Sequence, residues 1–412
     1  MCIWAAGAGS RSDAKMKSIA VIGKNYGDEG KGHATAYFAR KYADKRPVVI
    51  RHNGGAQAGH TVETDGKRVV FHQYGSGALF GAPTFLYRTF LPDPVALLRE
   101  RSALKRLAPQ LPALAADARC RVVTVFDVLA NQFIEELRGE KRHGSCGMGI
   151  WETVLRHRRG CALTLGDIDE KSTEELIADL RRIRDGYFAQ RLAEKAEPSV
   201  FRGWREGLIF DENLLLNAAE DMREGIKCLR VINSVSLLKE NFETFIFEGA
   251  QGLLLDGSGD AYAPYTTPSA TGSRNIRAFH AELGVTAQET ALEVCYVSRS
   301  YLTRHGAGPL PRACPKEAIN AAMRDLTNEP NEYQGTLRYA CHGDAADFMH
   351  AVVRDTEGFA DKPILSLYLT HLNETGGGLV SDSGLTVGQL QPFFDRIYLS
   401  RSRDSRDTEI MI

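Results

Sequence analysis

One stretch constrains this chain more than any other: Gly23-Lys-Asn-Tyr-Gly-Asp-Glu-Gly-Lys-Gly-His33, which follows the apolar run Ser18–Ile22 and precedes a helical-looking segment, Ala34–Asp44. Strand, glycine loop and helix in that order turn backbone N–H groups and a helix N-terminus toward phosphate oxygens. Glycine lets the backbone approach the anion, and Lys31 adds a point charge. The loop departs from the G-x-x-x-x-G-K-[ST] phosphate loop, because Asn25 and Gly32 stand where Gly and Ser or Thr are needed. It also carries an acidic pair, Asp28-Glu29, where an ordinary phosphate loop avoids negative charge. A carboxylate there suits a Mg²⁺ ligand, or a base within reach of a transferring phosphoryl group. Taken alone, the loop also reads as a glycine-rich turn without chemistry.

The same pattern recurs. Val48–Arg51 reads as a buried strand that opens into His52-Asn-Gly-Gly-Ala-Gln-Ala-Gly-His-Thr61, a second glycine loop carrying His60 and Thr61. Arg68–His72 is a short strand followed by Gly75-Ser-Gly77, and His143–Gly149 is a third glycine loop. Ala96–Leu107 and Val128–Gly139 have helical apolar spacing, and Ser172–Leu215 reads as a charged, solvated helical region. Glu243–Gln251, Leu292–Val297 and Pro363–Leu369 are further strands, running toward polar segments that include Pro264–Ser273, Arg304–Pro309 and Thr370–Asn373. This predicts an α/β fold, P-loop-like: a mostly parallel central sheet with helices on both faces and a site at the strand C-terminal ends. No linker or repeat divides the chain. A single domain over 16–412 is therefore expected, with a helical insertion around 151–240, after a disordered extension over 1–15.

Composition removes several classes. The 412 residues are 43% hydrophobic, enough for a large core, and a net charge of −1 argues against nucleic acid or a membrane surface as partner. No apolar run approaches the ~20 residues of a membrane span, and the first 15 residues lack the pattern of a signal peptide. Eight scattered cysteines without a C-x-x-C pair fit a reducing cytoplasm better than zinc or a disulfide framework.

Gly27-Asp-Glu-Gly-Lys-Gly32, Gly54–Thr61, Phe247–Gly252 with Leu255-Asp256, and Arg304–Pro309 resemble in order and spacing the motifs of adenylosuccinate synthetase, over a stretch from about Lys17 to the C-terminus. The resemblance implies a ligase joining L-aspartate to C6 of a 6-oxopurine nucleotide, usually IMP, with GTP as phosphoryl donor and Mg²⁺. A carbonyl oxygen is a poor leaving group, so O6 is phosphorylated first and the aspartate amine then displaces phosphate. That chemistry needs a base for the purine N1 proton, an acid or dipole on the phosphoryl group, and a metal. By resemblance Asp28 is the base and a Mg²⁺ ligand, His60 is the acid or phosphoryl stabiliser, and the Gly59 carbonyl completes part of the metal shell. Gly27, Gly30, Lys31, Gly32, Gly59 and Thr61 would hold the donor phosphates, and His371, Asn373 and Ser400 the donor base. Gln57, Ser145, Cys146, Gln251 and Thr267 would meet the purine nucleotide, and Gly335, Thr336 and Arg338 the aspartate. Arg158 resembles the arginine that the family's homodimer lends to the neighbouring subunit's nucleotide.

Some positions depart from the family pattern. Thr336 replaces an arginine that also reaches the ribose, and Gln57 replaces an Asn beside the purine. Met148 stands for Arg, and Ser400-Arg-Ser-Arg-Asp404 replaces the usual run near the donor base. Asn373 replaces the carboxylate that reads guanine, and its amide offers one acceptor where guanine presents two donors, so ATP or dATP becomes a candidate donor beside GTP. These changes resemble a phage branch of the family that joins aspartate to dGMP, often with ATP, although such enzymes often lack the loop aspartate retained here as Asp28. The expectation is that dGMP competes with or outperforms IMP. The rivals are a nucleotide-binding regulator that has lost catalysis, a P-loop kinase or GTPase, and a structural scaffold. The first is disfavoured by Asp28 and His60 together, the second by Gly32 and the missing N-K-x-D, and the third by so many polar loops after strands.

Overall fold

The computed structural model describes residues 15–108, 110–197, 200, 206–257, 262–286, 288–323 and 335–412, so the expected extension lies, Lys15 apart, outside the described residues. Fifteen strands run in chain order through the described residues. They are β1 (Met16–Gly23), β2 (Pro47–Arg51), β3 (His60–Thr64), β4 (Lys67–Phe71), β5 (Thr84–Leu86), β6 (Leu114–Asp117), β7 (Arg230–Ile232) and β8 (Thr244–Gly252). They continue as β9 (Thr290–Arg299), β10 (Leu302–Arg304), β11 (Ala313–Cys314), β12 (Arg338–Ala340), β13 (Ile364–Thr370), β14 (Arg396–Ser400) and β15 (Thr408–Ile410). Ten form one sheet in the order β15-β14-β13-β9-β1-β8-β2-β5-β6-β7. Every pairing in it is parallel except β14 with β15.

The central strands explain the apolar runs. Side chains alternate across a strand, so a sheet covered on both faces needs apolar residues at odd and even positions alike. On β1, Ala20 and Ile22 enter one core and Ile19 and Val21 the other; β2 divides Val48 and Ile50 from Val49 in the same way. The first core is closed by Ile276 and Phe279 of the helix Arg274–Leu283 and by Phe348 and Val352 of the helix Ala345–Thr356. The second is closed by Ala34, Tyr37 and Phe38 of α1 (Lys31–Lys41).

A third core lies among α2 (Pro94–Leu107), α3 (Val125–Arg138) and the helices beyond α4 (Ile150–Arg158). It corrects the reading of Ser172–Leu215 as a solvated region. Leu176, Leu180, Ile183, Phe188, Leu192 and Leu215 are fully buried in this core. Leu176, Leu180 and Ile183 recur at i, i+4 and i+7, an apolar stripe among abundant charges. The loop after β2 is also shorter than expected: His60 and Thr61 open the β3–β4 hairpin.

Candidate active site

The two glycine loops meet because glycine allows it. A Cβ on Gly32, in the first turn of α1, would stand 2.9 Å from the His60 Cβ, so only a glycine lets the helix start touch the hairpin start. Within the first loop Gly27, Asp28 and Gly30 have φ of 95°, 61° and 93°, the left-handed region. Asp28 holds that conformation without being glycine, at roughly 1 kcal/mol. Arg299 donates its Nε–H to the Asp28 carbonyl and fixes it.

The acidic pair divides its labour. Glu29 is buried and accepts from the Asn25 and Gly27 amides, at 3.0 and 2.8 Å, and from Lys31 Nζ at 2.7 Å. It builds the loop and neutralises Lys31. The Asp28 carboxylate, 29% exposed, faces the cavity, with His305 Nε2 at 3.7 Å. Asp28 is therefore the member available for chemistry.

His60 is backed by a carboxylate from β8. Glu248 takes the His60 Nδ1 hydrogen at 2.7 Å and accepts from the Ser76 amide at 3.0 Å and from the Ser76 hydroxyl, with Arg51 at 4.0 Å. Burial alone would raise the Glu248 carboxyl, but His60 and Arg51 outweigh it and bring it down to about 2. Burial, only partly opposed by the Glu248 charge, pushes His60 down to about 4, so at neutral pH the ring is uncharged. A carboxylate can only accept, which places the ring hydrogen on Nδ1 and leaves Nε2 for a ligand.

Asp28 and His60 line one cavity of about 1240 Å³. A pocket for one drug-sized ligand spans ~300–1,000 Å³, so this volume suits more than one substrate. Its wall also includes Gly27, Gly30, Lys31, Gly32, Gln57, Gly59, Thr61, Ser145, Cys146, Gln251, Thr267, His371, Asn373 and Ser400. Both amide atoms of Gln57 and Oε1 of Gln251 are buried without a hydrogen-bond partner. An orphaned buried polar atom costs about 1–3 kcal/mol, which a bound polar ligand can offset. Also on the wall, Ser400 Oγ lies 2.9 Å from His33 Nε2 and donates to the Ser402 carbonyl.

Four expected residues lie elsewhere. Gly335 and Thr336 are exposed and off the cavity wall. Arg338 donates to the Gly306 and Gly308 carbonyls, at 2.7 and 3.0 Å, bracing the loop that carries His305. Arg158 sits on the exposed end of α4. Conversely, sequence reasoning missed Glu248, Ser76, Arg299 and His305. Each lies in or beside a segment that the strand-and-loop pattern marks, but pairing across the sheet gives the role. Among the described residues no cluster of three or more His, Cys, Asp or Glu suits a metal ion, and no helix is long and apolar enough to cross a membrane.

The chain is 30% identical over 342 residues to adenylosuccinate synthetase of Hamiltonella defensa, covering 82% of this chain and 73% of that protein. It is 28% identical over 365 residues to that of Staphylococcus saprophyticus, covering 87% and 79%. In fold it resembles the fully ligated adenylosuccinate synthetase of Plasmodium falciparum, with a TM-score of 0.71 at 17% identity over 96% of this chain and 99% of that one. It also resembles a cyanophage S-2L succinoaminodeoxyadenylate synthetase bound to dGMP and dATP as energy donor, with a TM-score of 0.59 at 16% identity over 96% and 95%. The adenylosuccinate synthetase family profile matches residues 20–352, and the chain belongs to that family of C–N bond-forming ligases, which condense aspartate with a purine nucleotide.

Proposed function

We propose that the chain condenses L-aspartate with C6 of a 6-oxopurine nucleotide through a 6-phosphoryl intermediate, at the expense of a nucleoside triphosphate. The observation that carries this is the Asp28 carboxylate and the Glu248-backed His60 on the wall of one cavity large enough for several substrates. Asp28 takes the N1 proton, and the electron pair moves onto O6, which attacks the γ-phosphorus and releases the nucleoside diphosphate. His60 acts on the transferring group: its Nδ1 is anchored, and the incoming phosphate charge favours a proton on Nε2. The aspartate amine then adds at C6, loses a proton, and phosphate departs with the C6–O6 bond.

Mg²⁺ fits the oxygen donors present, since it keeps several waters and binds through one or two carboxylates plus phosphate oxygens. The Asp28 carboxylate and the Gly59 carbonyl would hold it, and its chemistry is to neutralise charge on the donor phosphates. Gly27, Gly30, Lys31, Gly32 and Thr61 serve those phosphates, and His371, Asn373 and Ser400 the donor base. Gln57, Gln251, Ser145, Cys146 and Thr267 serve the purine nucleotide. Aspartate carboxylates need cations; Arg304 lines the cavity, and Arg338 braces the loop beside it. Arg158, exposed on α4, would serve a neighbouring subunit in a homodimer.

Two nucleotides fit this reading, IMP and dGMP. The dGMP reading is favoured by the unpartnered Gln57 amide, whose Oε1 can accept from a 2-amino group. Thr336 lends that reading no support, because it lies off the cavity. The test is a matrix of IMP, GMP and dGMP against ATP, dATP and GTP, following phosphate and the succinyl-purine product. Aspartate-dependent product with dGMP and an adenine donor is expected. Strict use of IMP with GTP rejects that substrate pair, and no product in any cell of the matrix rejects the ligase.

A further inference from the structure

Asp28 occupies the left-handed backbone region, which costs an Asp more than a Gly, so contacts that hold the loop help to aim its carboxylate. Two hydrogen-bonded chains do so, and both lead to the same segment. In the first, Arg299 donates to the Asp28 carbonyl and, through Nη1, to the Tyr301 hydroxyl at 3.1 Å, and that hydroxyl donates to Glu374 Oε2 at 2.6 Å. In the second, the Thr370 hydroxyl donates to the Glu29 carbonyl at 2.7 Å and lies 2.8 Å from His371 Nδ1. His371 and Glu374 flank Asn373, and all three line the cavity. Tyr301 does not; it is 1% exposed beneath the wall, with the Arg299 guanidinium over its ring. A buried tyrosine hydroxyl thus bridges the guanidinium that fixes Asp28 and a carboxylate on the cavity wall.

We propose that Tyr301, acting through Arg299, is a positioning residue that ties the donor-base end of the cavity to the placement of Asp28. Recognition of the donor base is then expressed in turnover as well as in donor binding. The inference rests on the ligase reading above for which end holds the donor base. A base that engages the 371–374 segment sets Glu374, and Glu374 sets the Tyr301–Arg299 pair. Tyr301→Phe removes the bridging hydroxyl and leaves the ring and its packing, so it tests the link with little effect on the fold.

Steady-state kinetics of Tyr301→Phe, Glu374→Gln and the double variant, with ATP and with GTP at saturating purine nucleotide and aspartate, decide the matter. With the preferred donor, kcat is expected to fall about 10- to 100-fold, as a small misplacement of a reacting group does, while the donor KM stays within about 3-fold. With the poorer donor kcat falls much less, so discrimination in kcat collapses, and the double variant is no worse than the single ones. An equal fall with both donors, or a change in KM alone, overturns the proposal. If the wild-type chain makes no aspartate-dependent product, the ligase reading fails, and the link is then judged by hydrogen exchange. ATP or GTP alone is expected to slow exchange of the 27–31 amides in the wild type and not in Tyr301→Phe; equal protection in both, or none in either, overturns it.

Discussion

The two groups of residues proposed above for phosphate and for purine differ in how their polar groups are satisfied. At the phosphate end Glu29 holds Lys31 and two loop amides, and Glu248 holds His60 and Ser76. In the part proposed for the purine, Gln57 and Gln251 keep amide atoms buried without partners. The contrast teaches where preorganisation is spent. Groups that act on a developing charge gain from being fixed before the substrate arrives, since no reorganisation is then needed at the moment of reaction. Groups that read a base can wait, because the base itself supplies the missing partners.

The comparison breaks most directly at the proposed catalytic pair, Asp28 and His60. Asp28→Asn keeps a residue that tolerates the left-handed backbone, and His60→Ala removes the imidazole. Each is expected to lower kcat by at least ~10³-fold with an unchanged circular dichroism spectrum. Appreciable turnover in the double variant would remove the proposed mechanism.

Glu248→Gln is the next test, because it asks whether the support behind His60 matters. The amide can still accept from Nδ1, but the charge that opposes burial of His60 and faces Arg51 is lost. An uncompensated buried charge is worth about 3–5 kcal/mol, so a lower thermal midpoint is expected together with a fall in kcat of roughly 10- to 100-fold. A variant as active and as stable as the wild type would show that the phosphate end is not held by this carboxylate.

Much of the scaffold is legible in the chain. The apolar runs at Ile19–Ile22, Val48–Ile50 and Phe245–Phe247 announce strands covered on both faces, and the glycine loops after them announce where the site lies. What is not legible is which strand neighbours which. Glu248 serves His60 because β8 lies between β1 and β2, and Arg299 reaches Asp28 because β9 flanks β1 on the other side. Those pairings join residues 188 and 271 positions apart, beyond any local period. The helices after Ser172 were obscured differently, since frequent charges on one face concealed the stripe of Leu176, Leu180 and Ile183 on the other.

The purine end gives a smaller and opposite kind of effect. Gln57→Met keeps the length of the side chain and removes both orphaned atoms. Unliganded stability is expected to rise by about 1 kcal/mol, while KM for the purine nucleotide rises about 10-fold or more and kcat changes little. Urea unfolding and steady-state kinetics on the same variant separate the two effects. A loss of stability would mean that the Gln57 amide is already satisfied without a ligand.

His52 supplies the control for that argument. Both its ring nitrogens are buried without partners, as at Gln57, yet it is absent from the cavity wall, so no ligand recovers the cost. Burial, with Arg51 nearby, pushes its pKa down to about 3, against an ordinary value near 6.5. Above pH 6.5 neither state binds the proton and His52 adds no pH dependence. Between pH 6.5 and about 3 the unfolded chain takes up a proton that the folded chain refuses, so stability falls as pH falls. His52→Phe keeps an aromatic ring against Phe247 and abolishes that uptake. At pH 7.5 the variant is expected to gain about 1 kcal/mol from the removed orphan atoms. At pH 5 the gain should be larger by about 2 kcal/mol, from the roughly 1.5 pH units between 6.5 and 5 at ~1.4 kcal/mol each. Substrate KM should stay constant, which separates this site from Gln57. An equal gain at both pH values would mean that His52 is protonated, or hydrogen-bonded, in the folded chain.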